Sequence, residues 1–502
     1  MNKKKGIIIA AAAAVVLVAV VLILIFVPKG GSGGDSEKAT IDEGVALTVS
    51  TDKNGIHQAI VGTKNGKIEN NSYGTLMEYY PADIKTIHIE NAKGTLDVIS
   101  NTPQGEATVY TIKGYEDFDL QSGNPDLIAS AAAKLDFSQV ATLDKEKGGE
   151  FGFDKPRSVV TVTYSDNTKS IITVGDDAPQ GAGTYIKFGT GDAVYVVDTE
   201  TVSVFDYGLT DLISLTINDA AENTENNKPG SIVLSGSAFP QAITLEPNTN
   251  ENYSASYRMT APVSRIAAEN ESSLVAAGIR DLYALSVKYV NPSDSQLSDA
   301  GLSSPYAKLK ADYPDTDITL TASKPDGEGN VNLMLEGKNV VYTISADKVA
   351  WVNTSYEKLC SEYVLYPKMT ALSGITLTTG GKTYEFELNT RESTTTDDQG
   401  SETTSTVTSV FYNGDEIQLG DFSAFYDKLA LIVPSDVKSG SASGSDALRV
   451  EYSFADGSSD TVRFVDNGGD TFTAVVNGDV AGHAYKTDVN RAVKGISEML
   501  AG

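Results

Sequence analysis

The hydrophobic pattern sets residues 6–28 (GIIIAAAAAVVLVAVVLILIFVP) apart from the rest of the chain. This run carries no charge, with Lys3, Lys4 and Lys5 before it and Lys29 after it. As a helix it spans roughly 34 Å at about 1.5 Å per residue, enough to cross a hydrocarbon core of about 30 Å. The lysine bias predicts a cytoplasmic N-terminus at residues 1–5, an anchor at 6–28 and a translocated remainder. A cleaved signal peptide would have a shorter apolar region ending in small residues. This run ends in Leu24-Ile25-Phe26-Val27-Pro28, so an uncleaved anchor is expected. Residues 29–43, rich in Gly and Ser, read as a flexible tether.

Beyond the tether the period changes to two. Val45 to Val49 and Ile56 to Val61 flank Asn54-Gly55, the signature of a hairpin turn. A longer order then recurs three times. In the first pass a strand at 83–89 and a helix from Ser130 to Leu143 precede Gly152-Phe153-Asp154-Lys155-Pro156. Strands at 159–164, 170–174, 184–188 and 193–197 complete it. In the second pass the opening strand is Gln241 to Leu245 and the helix Ser272 to Leu285. Gly301 to Pro305 stands where Gly152 to Pro156 stood, with strands at 307–313, 331–335 and 339–344 and a tail at 347–359.

The third pass opens at Gly374 to Leu377. It has a helix from Ser423 to Val433, strands at 448–454, 471–476 and 482–486, and a terminal helix from Asp488 to Leu500. Asp166, Asp315 and Asp456 each follow an aromatic residue by two positions. They also precede Tyr195, Tyr342 and Tyr485 by near-constant distances. Such aspartates close tight turns by accepting from local amides, so their recurrence points to turn chemistry and not to catalysis.

The expected fold class is therefore α+β: an N-terminal transmembrane helix followed by tandem β-rich modules with mostly antiparallel sheets and a few packed helices each. The modules are expected at 44–217 (including the hairpin), 231–372 and 373–502. The third is more divergent, lacking the Gly-x-x-x-Pro step, and a mobile loop is expected near 392–409. Asn218 to Gly230 reads as the boundary after the first module.

Charge narrows the function classes. A formal net charge of −28 disfavours nucleic acid as a partner, and the acid scattered among Ser, Thr, Asn and Gly reads first as a solvated surface. One cysteine, Cys360, forbids an intramolecular disulfide and sits as a small core residue in a helical pattern. The three histidines, His57, His88 and His483, have no metal-ligand spacing.

Several motifs imitate known chemistry without its context. Gly380-Gly381-Lys382-Thr383 precedes a strand, not the helix of a phosphate loop, and Gly30 to Gly34 mimics a nucleophile elbow inside the tether. Asp326 to Asn330 starts like a calcium loop but has Gly337 where the bidentate glutamate belongs. No catalytic, cofactor-binding or metal-binding residue is expected, and no cofactor. Tyr73, Tyr79 and Tyr80, and Tyr356, Tyr363 and Tyr366 with Trp351, form two aromatic clusters. Such clusters serve as packing in β-rich domains more often than as partner surfaces.

Tyr79-Tyr80-Pro81-Ala82-Asp83-Ile84-Lys85-Thr86-Ile87, the Gly152 to Pro156 step, Val174-Gly175-Asp176-Asp177-Ala178-Pro179, Tyr185-Ile186-Lys187 and Val194 to Val197 together resemble the bacterial domain of unknown function 4340 family. The likeness is best over 80–215 and looser over 240–390. It implies a single-span protein facing outward, associated with ABC-type export systems of the gliding kind, and supplies no catalytic residues.

The expectation is thus a non-enzymatic, membrane-anchored extracytoplasmic binding or scaffold protein of the bacterial cell membrane. Its partners would be an ABC transporter permease or an envelope polymer. The competing readings are an envelope polymer hydrolase using carboxylates such as Asp154 or Asp176, and a small-solute receptor with a closed apolar pocket between modules.

Overall fold

The computed structural model describes residues 45–63, 73–102, 107–143, 149–396, 402–438 and 440–501. The N-terminus, anchor and tether expected at 1–43 lie outside the described residues, and no described helix is long and apolar enough to cross a membrane. What is described is β-rich, with a few helices and antiparallel pairings within its sheets. The described residues form two compact units, one drawn from 45–110 and 128–206, the other from 111–127 and 207–501.

The first unit holds the hairpin Val45–Thr51 and His57–Thr63 and a nine-stranded sheet. Asp52 closes the hairpin turn by accepting from the amides of Asn54 at 2.8 Å and Ile56 at 2.9 Å, and Gly55 takes φ 79°. In the sheet, Ile84–Asn91 pairs with Gly94–Asn101 on one side and with Ser158–Tyr164 on the other. The sheet continues through Lys169–Asp177, Thr184–Phe188, Val194–Val197 and Lys134–Thr142 to Gly74–Glu78 at its edge. Val160, Val162 and Tyr164 face the core while Val159, Thr161 and Thr163 alternate outward.

The helix expected over 130–143 is corrected here. The helix is Asn124–Ala133, and the chain then extends as the strand Lys134–Thr142. Leu135 and Phe137 are buried while Lys134, Asp136 and Ser138 are exposed, a period of two that no helix can satisfy.

The second unit carries two more nine-stranded sheets built to the same plan. In one, Ser231–Ser235 pairs with Ile243–Pro247 and with Ala307–Asp312; in the other, Leu372–Thr379 pairs with Lys382–Thr396 and with Asp446–Phe454. In each of the three sheets the chain lays down strands from the centre outward and crosses by a helix to a strand on the other side. It then returns from the centre to that strand through four antiparallel strands. The strand reached is the edge in the second and third sheets, whereas in the first it is Lys134–Thr142, flanked by Gly74–Glu78. Ile87 opposite Val162, Ile232 opposite Ala311 and Ile375 opposite Tyr452 mark the matching position in each.

This register corrects two matches made from the sequence. The opening strand of the second sheet is Ser231–Ser235, whose Ile232 and Leu234 are buried, and Ile243–Pro247 is its outer neighbour. Tyr195 and Tyr342 stand opposite Ile186 and Leu333, but the equivalent place in the third sheet, opposite Ala474, belongs to Gly482. Gly482 has φ 128°, and a Cβ there would lie 2.0 Å from the Asp436 carbonyl oxygen. Tyr485 is more than half exposed.

Other boundaries shift for local reasons. The helix expected at 272–285 is Glu269–Ala277, ended by Gly278, and Leu282 then pairs as a short strand. The helix expected at 423–433 is Leu419–Ala430, placed by a buried stripe of Phe422, Phe425, Tyr426 and Leu429. Within the stretch expected as a loop near 392–409, residues 392–396 and 402–409 are paired arms of a long hairpin, joined through 397–401 outside the described residues. The terminal helix is Lys486–Ala501.

Candidate functional site

A cleft of about 430 Å³ opens in the second unit where connections of its two sheets meet. It is lined by residues from 248–258, 263–270, 361–366 and 476–481, together with Pro434 and Asp460. That volume falls within the ordinary range of small-ligand sites.

The connection from Ile243–Pro247 to Tyr257–Ala261 is folded by its own asparagines. Asn248 donates to the Asn250 carbonyl at 3.1 Å and the Ala255 carbonyl at 2.8 Å, and its side-chain oxygen accepts the Asn250 amide at 3.1 Å. Asn250 in turn accepts the Asn252 amide at 2.9 Å. Such side-chain mimicry of a turn is what Asn offers an irregular loop. The loop delivers Tyr253 into the core of the third sheet, beside Phe454, where its hydroxyl donates to Asp460.

Two carboxylates of the cleft are engaged as acceptors. Asp460 also accepts from Asn477 at 2.6 Å. Glu269 takes the amide and hydroxyl of Ser256, at 2.5 and 2.8 Å, and the Ser273 hydroxyl at 3.2 Å. Burial alone pushes the Glu269 carboxyl up, but these hydrogen bonds outweigh it and hold the group below the ordinary glutamate value.

The cations are placed differently. Arg258 donates to the Ser264 hydroxyl at 2.8 Å. Arg265 donates to Cys360 Sγ at 3.1 Å and the Ala481 carbonyl at 3.3 Å, lies 5.5 Å from the Tyr356 ring, and keeps a buried Nε without a partner. Burial pushes the Cys360 thiol up and Arg265 offsets this only in part, so Cys360 is the inert core residue its sequence context suggests. Tyr363 and Tyr366 meet edge to face at 5.4 Å on the cleft wall.

The aromatic clusters noted in the sequence divide by use. Trp351 is fully buried and donates to the Gly278 carbonyl at 2.8 Å, and Tyr356 packs beside it in the second core. Tyr363 and Tyr366 face the cleft. In the first unit Tyr79 stacks on Tyr164 at 3.9 Å and bonds His57 Nε2 at 2.9 Å, while Tyr80 is exposed. The residues that build the cleft, Tyr253, Arg258 and Arg265, carry no motif in the sequence.

The histidines and turn aspartates have structural partners. His57 also meets Thr51 and Thr168, each at 3.1 Å; His88 meets Asp97 at 2.6 Å; His483 meets Asp436 at 2.9 Å. Asp166 and Asp456 accept the amides two residues on, at 2.9 and 2.8 Å, and Asp315 instead pairs with Arg280. Among the described residues no group of His, Cys, Asp and Glu is placed to hold a metal ion. Gly380 and Gly381, both at positive φ, make a two-residue hairpin turn, and Asp326 caps the amides of Glu328 and Asn330.

Asp154 and Asp176, the carboxylates considered for hydrolysis, are exposed beside a crossing of backbones in the first unit. Gly152 takes φ 82°, and a Cβ on Gly175 would lie 2.1 Å from the Phe151 carbonyl oxygen. The two glycines let one segment cross over another. Gly301 against Ser323 in the second sheet, and Gly444 against the Asp466 carbonyl in the third, make similar approaches.

Residues 110–250 match the family model described as a domain of unknown function, DUF4340, and this stretch resembles that family. It contains the Gly152 to Pro156 step, the Val174 to Pro179 turn and the strands to Val197. No curated protein and no solved structure matches the chain.

Proposed function

We propose that this is a non-enzymatic binding and scaffold protein, held in the bacterial membrane by residues 6–28, with its folded part outside the cytoplasm. In this reading it serves as an accessory of an ABC-type transport or cell-envelope complex. The observation that carries it is the cleft of the second unit: a ligand-sized opening beside exposed aromatic surface, two of whose four lining carboxylates, Asp460 and Glu269, are engaged as acceptors. Two sheets joined through Tyr253 make a firm frame for such a seat. The apolar N-terminal run and the resemblance of residues 110–250 support the setting at the membrane.

Purification of the full chain from detergent-solubilised membranes tests the role. A permease or ATPase should be recovered with it in fixed proportion. Recovery of the chain alone after mild cross-linking would contradict an accessory role.

A further inference from the structure

The geometry points to an acidic saccharide unit, one bearing a carboxylate or a phosphate, as the occupant of the cleft, with Arg258 and Arg265 binding its anion. This rests on the reading of the cleft as a ligand seat. In a chain of net charge −28, arginines have carboxylates in plenty. Arg157, Arg280, Arg449, Arg463 and Arg491 each face one. Among the described residues, Arg258, Arg265 and the exposed Arg391 have no carboxylate within ion-pair distance, and of these Arg258 and Arg265 line the same cleft. Glu246 lies across the strand pair from Arg258, yet its carboxylate accepts from Thr260.

A guanidinium presents a planar fork of donors matched to carboxylate and phosphate. Arg265 spends its Nη groups on a thiol and a carbonyl, both neutral, and its buried Nε bonds nothing. Its positive charge is therefore met by no carboxylate among the described residues. Asp460 and Glu269 accept from protein donors and so compete little for these cations. Glu362 and Asp479 line the cleft as well, so four carboxylates stand against two arginines, which disfavours a multiply charged bare ion more than a single charge carried on a neutral body. Tyr363 and Tyr366 supply amphipathic ring surface for such a body, the polar-tipped aromatic contact that suits a sugar face.

Calorimetric titration of the full chain in detergent tests this with three probes: N-acetylmuramic acid for the carboxylate, N-acetylglucosamine 1-phosphate for the phosphate, and neutral N-acetylglucosamine. At least one acidic sugar should bind tenfold or more tightly than the neutral one, and the better of the two identifies the anion. Arg258→Gln should reduce that preference about tenfold with the thermal transition unchanged, because Arg258 bonds only the Ser264 hydroxyl. Arg265→Lys gives an independent check, since lysine keeps the charge but not the fork. Equal binding of neutral and acidic sugars, or a preference untouched by Arg258→Gln, would overturn the anion assignment while leaving the cleft a ligand seat. Failure of all three probes to bind at millimolar concentration would overturn the saccharide assignment, and the recovery of a transport partner would still stand or fall by itself.

Discussion

Tyr253 is borne by a loop of the second sheet, yet its ring is buried in the core of the third, where its hydroxyl donates to Asp460. Asn252 beside it donates to Asp456 at 3.1 Å, and its carbonyl accepts the Lys368 amide at 2.8 Å. The contact is a bolt between two sheets whose strands are otherwise complete. Tyr253→Phe should cost about 1.5–3 kcal/mol, the scale of a hydrogen bond to a charged group. Tyr253→Ala should cost about 3–5 kcal/mol and separate the melting of the two sheets. Calorimetry would show the single transition of this unit broadening or splitting in Tyr253→Ala and remaining single in Tyr253→Phe.

The crossing of Gly152 over Gly175 gives a second expectation. A methyl group on Gly175 would sit 2.1 Å from a backbone oxygen, and backbone cannot step aside as a flexible side chain can. Gly175→Ala should destabilise the first unit by about 1–3 kcal/mol, the usual scale of overpacking. Chemical denaturation followed by a probe in the first unit would read it, with Gly191→Ala, where a Cβ meets nothing closer than 3.7 Å and φ is likewise not positive, as the comparison.

His57 makes the hairpin at 45–63 sensitive to acid. Burial lowers its pKa, with Asp166 pulling weakly the other way, so the folded state prefers the neutral ring. The contribution is present above the unfolded value of about 6.5 and is lost as pH falls through the lower folded value. Protection factors for hairpin amides from hydrogen exchange should therefore fall between pH 7.5 and pH 5. His88 runs the opposite way: its hydrogen bond to Asp97 comes first among the causes that raise its pKa. Its contribution is complete below about 6.5 and is lost as pH rises through the folded value.

Asp315 should govern an acid limb. The hydrogen bond from Arg280 holds its carboxyl below the ordinary aspartate value. The stabilisation is present above the unfolded value of about 3.9 and disappears as pH falls through the folded one. Asp315→Asn should thus be less stable than the natural chain at pH 6, with the gap narrowing below pH 4 in urea titrations. The buried Arg280 guanidinium, stacked 4.1 Å from Tyr313, is left without its counter-charge in that variant.

How much of this was readable in the chain depended on the range of the interaction. Strands such as Ser158–Tyr164 and the Asn54-Gly55 turn declare themselves through alternation and local turn chemistry, and both stand where the pattern puts them. Lys134–Thr142 did not, because the helix Asn124–Ala133 runs directly into it with no turn residue between, and Leu135 and Val140 alone fit a helical spacing as well as a strand. The match of Tyr485 to Tyr195 and Tyr342 failed because spacing ignores a register shift between Ala474 and Val475. The cleft was least readable: Tyr253 and Asp460 meet across more than two hundred positions, and no motif in the chain sets Arg258 and Arg265 apart from the other arginines.

The proposed placement of the folded units outside the cytoplasm can be tested with a single introduced thiol. Cys360 is the one natural cysteine and is 4% exposed, so it stays silent, whereas Tyr80 is 78% exposed. Intact cells carrying Tyr80→Cys, treated with a membrane-impermeant maleimide, should label the full-length chain, and cells with the natural chain should not. Labelling that appears only after the membrane is permeabilised would contradict the account.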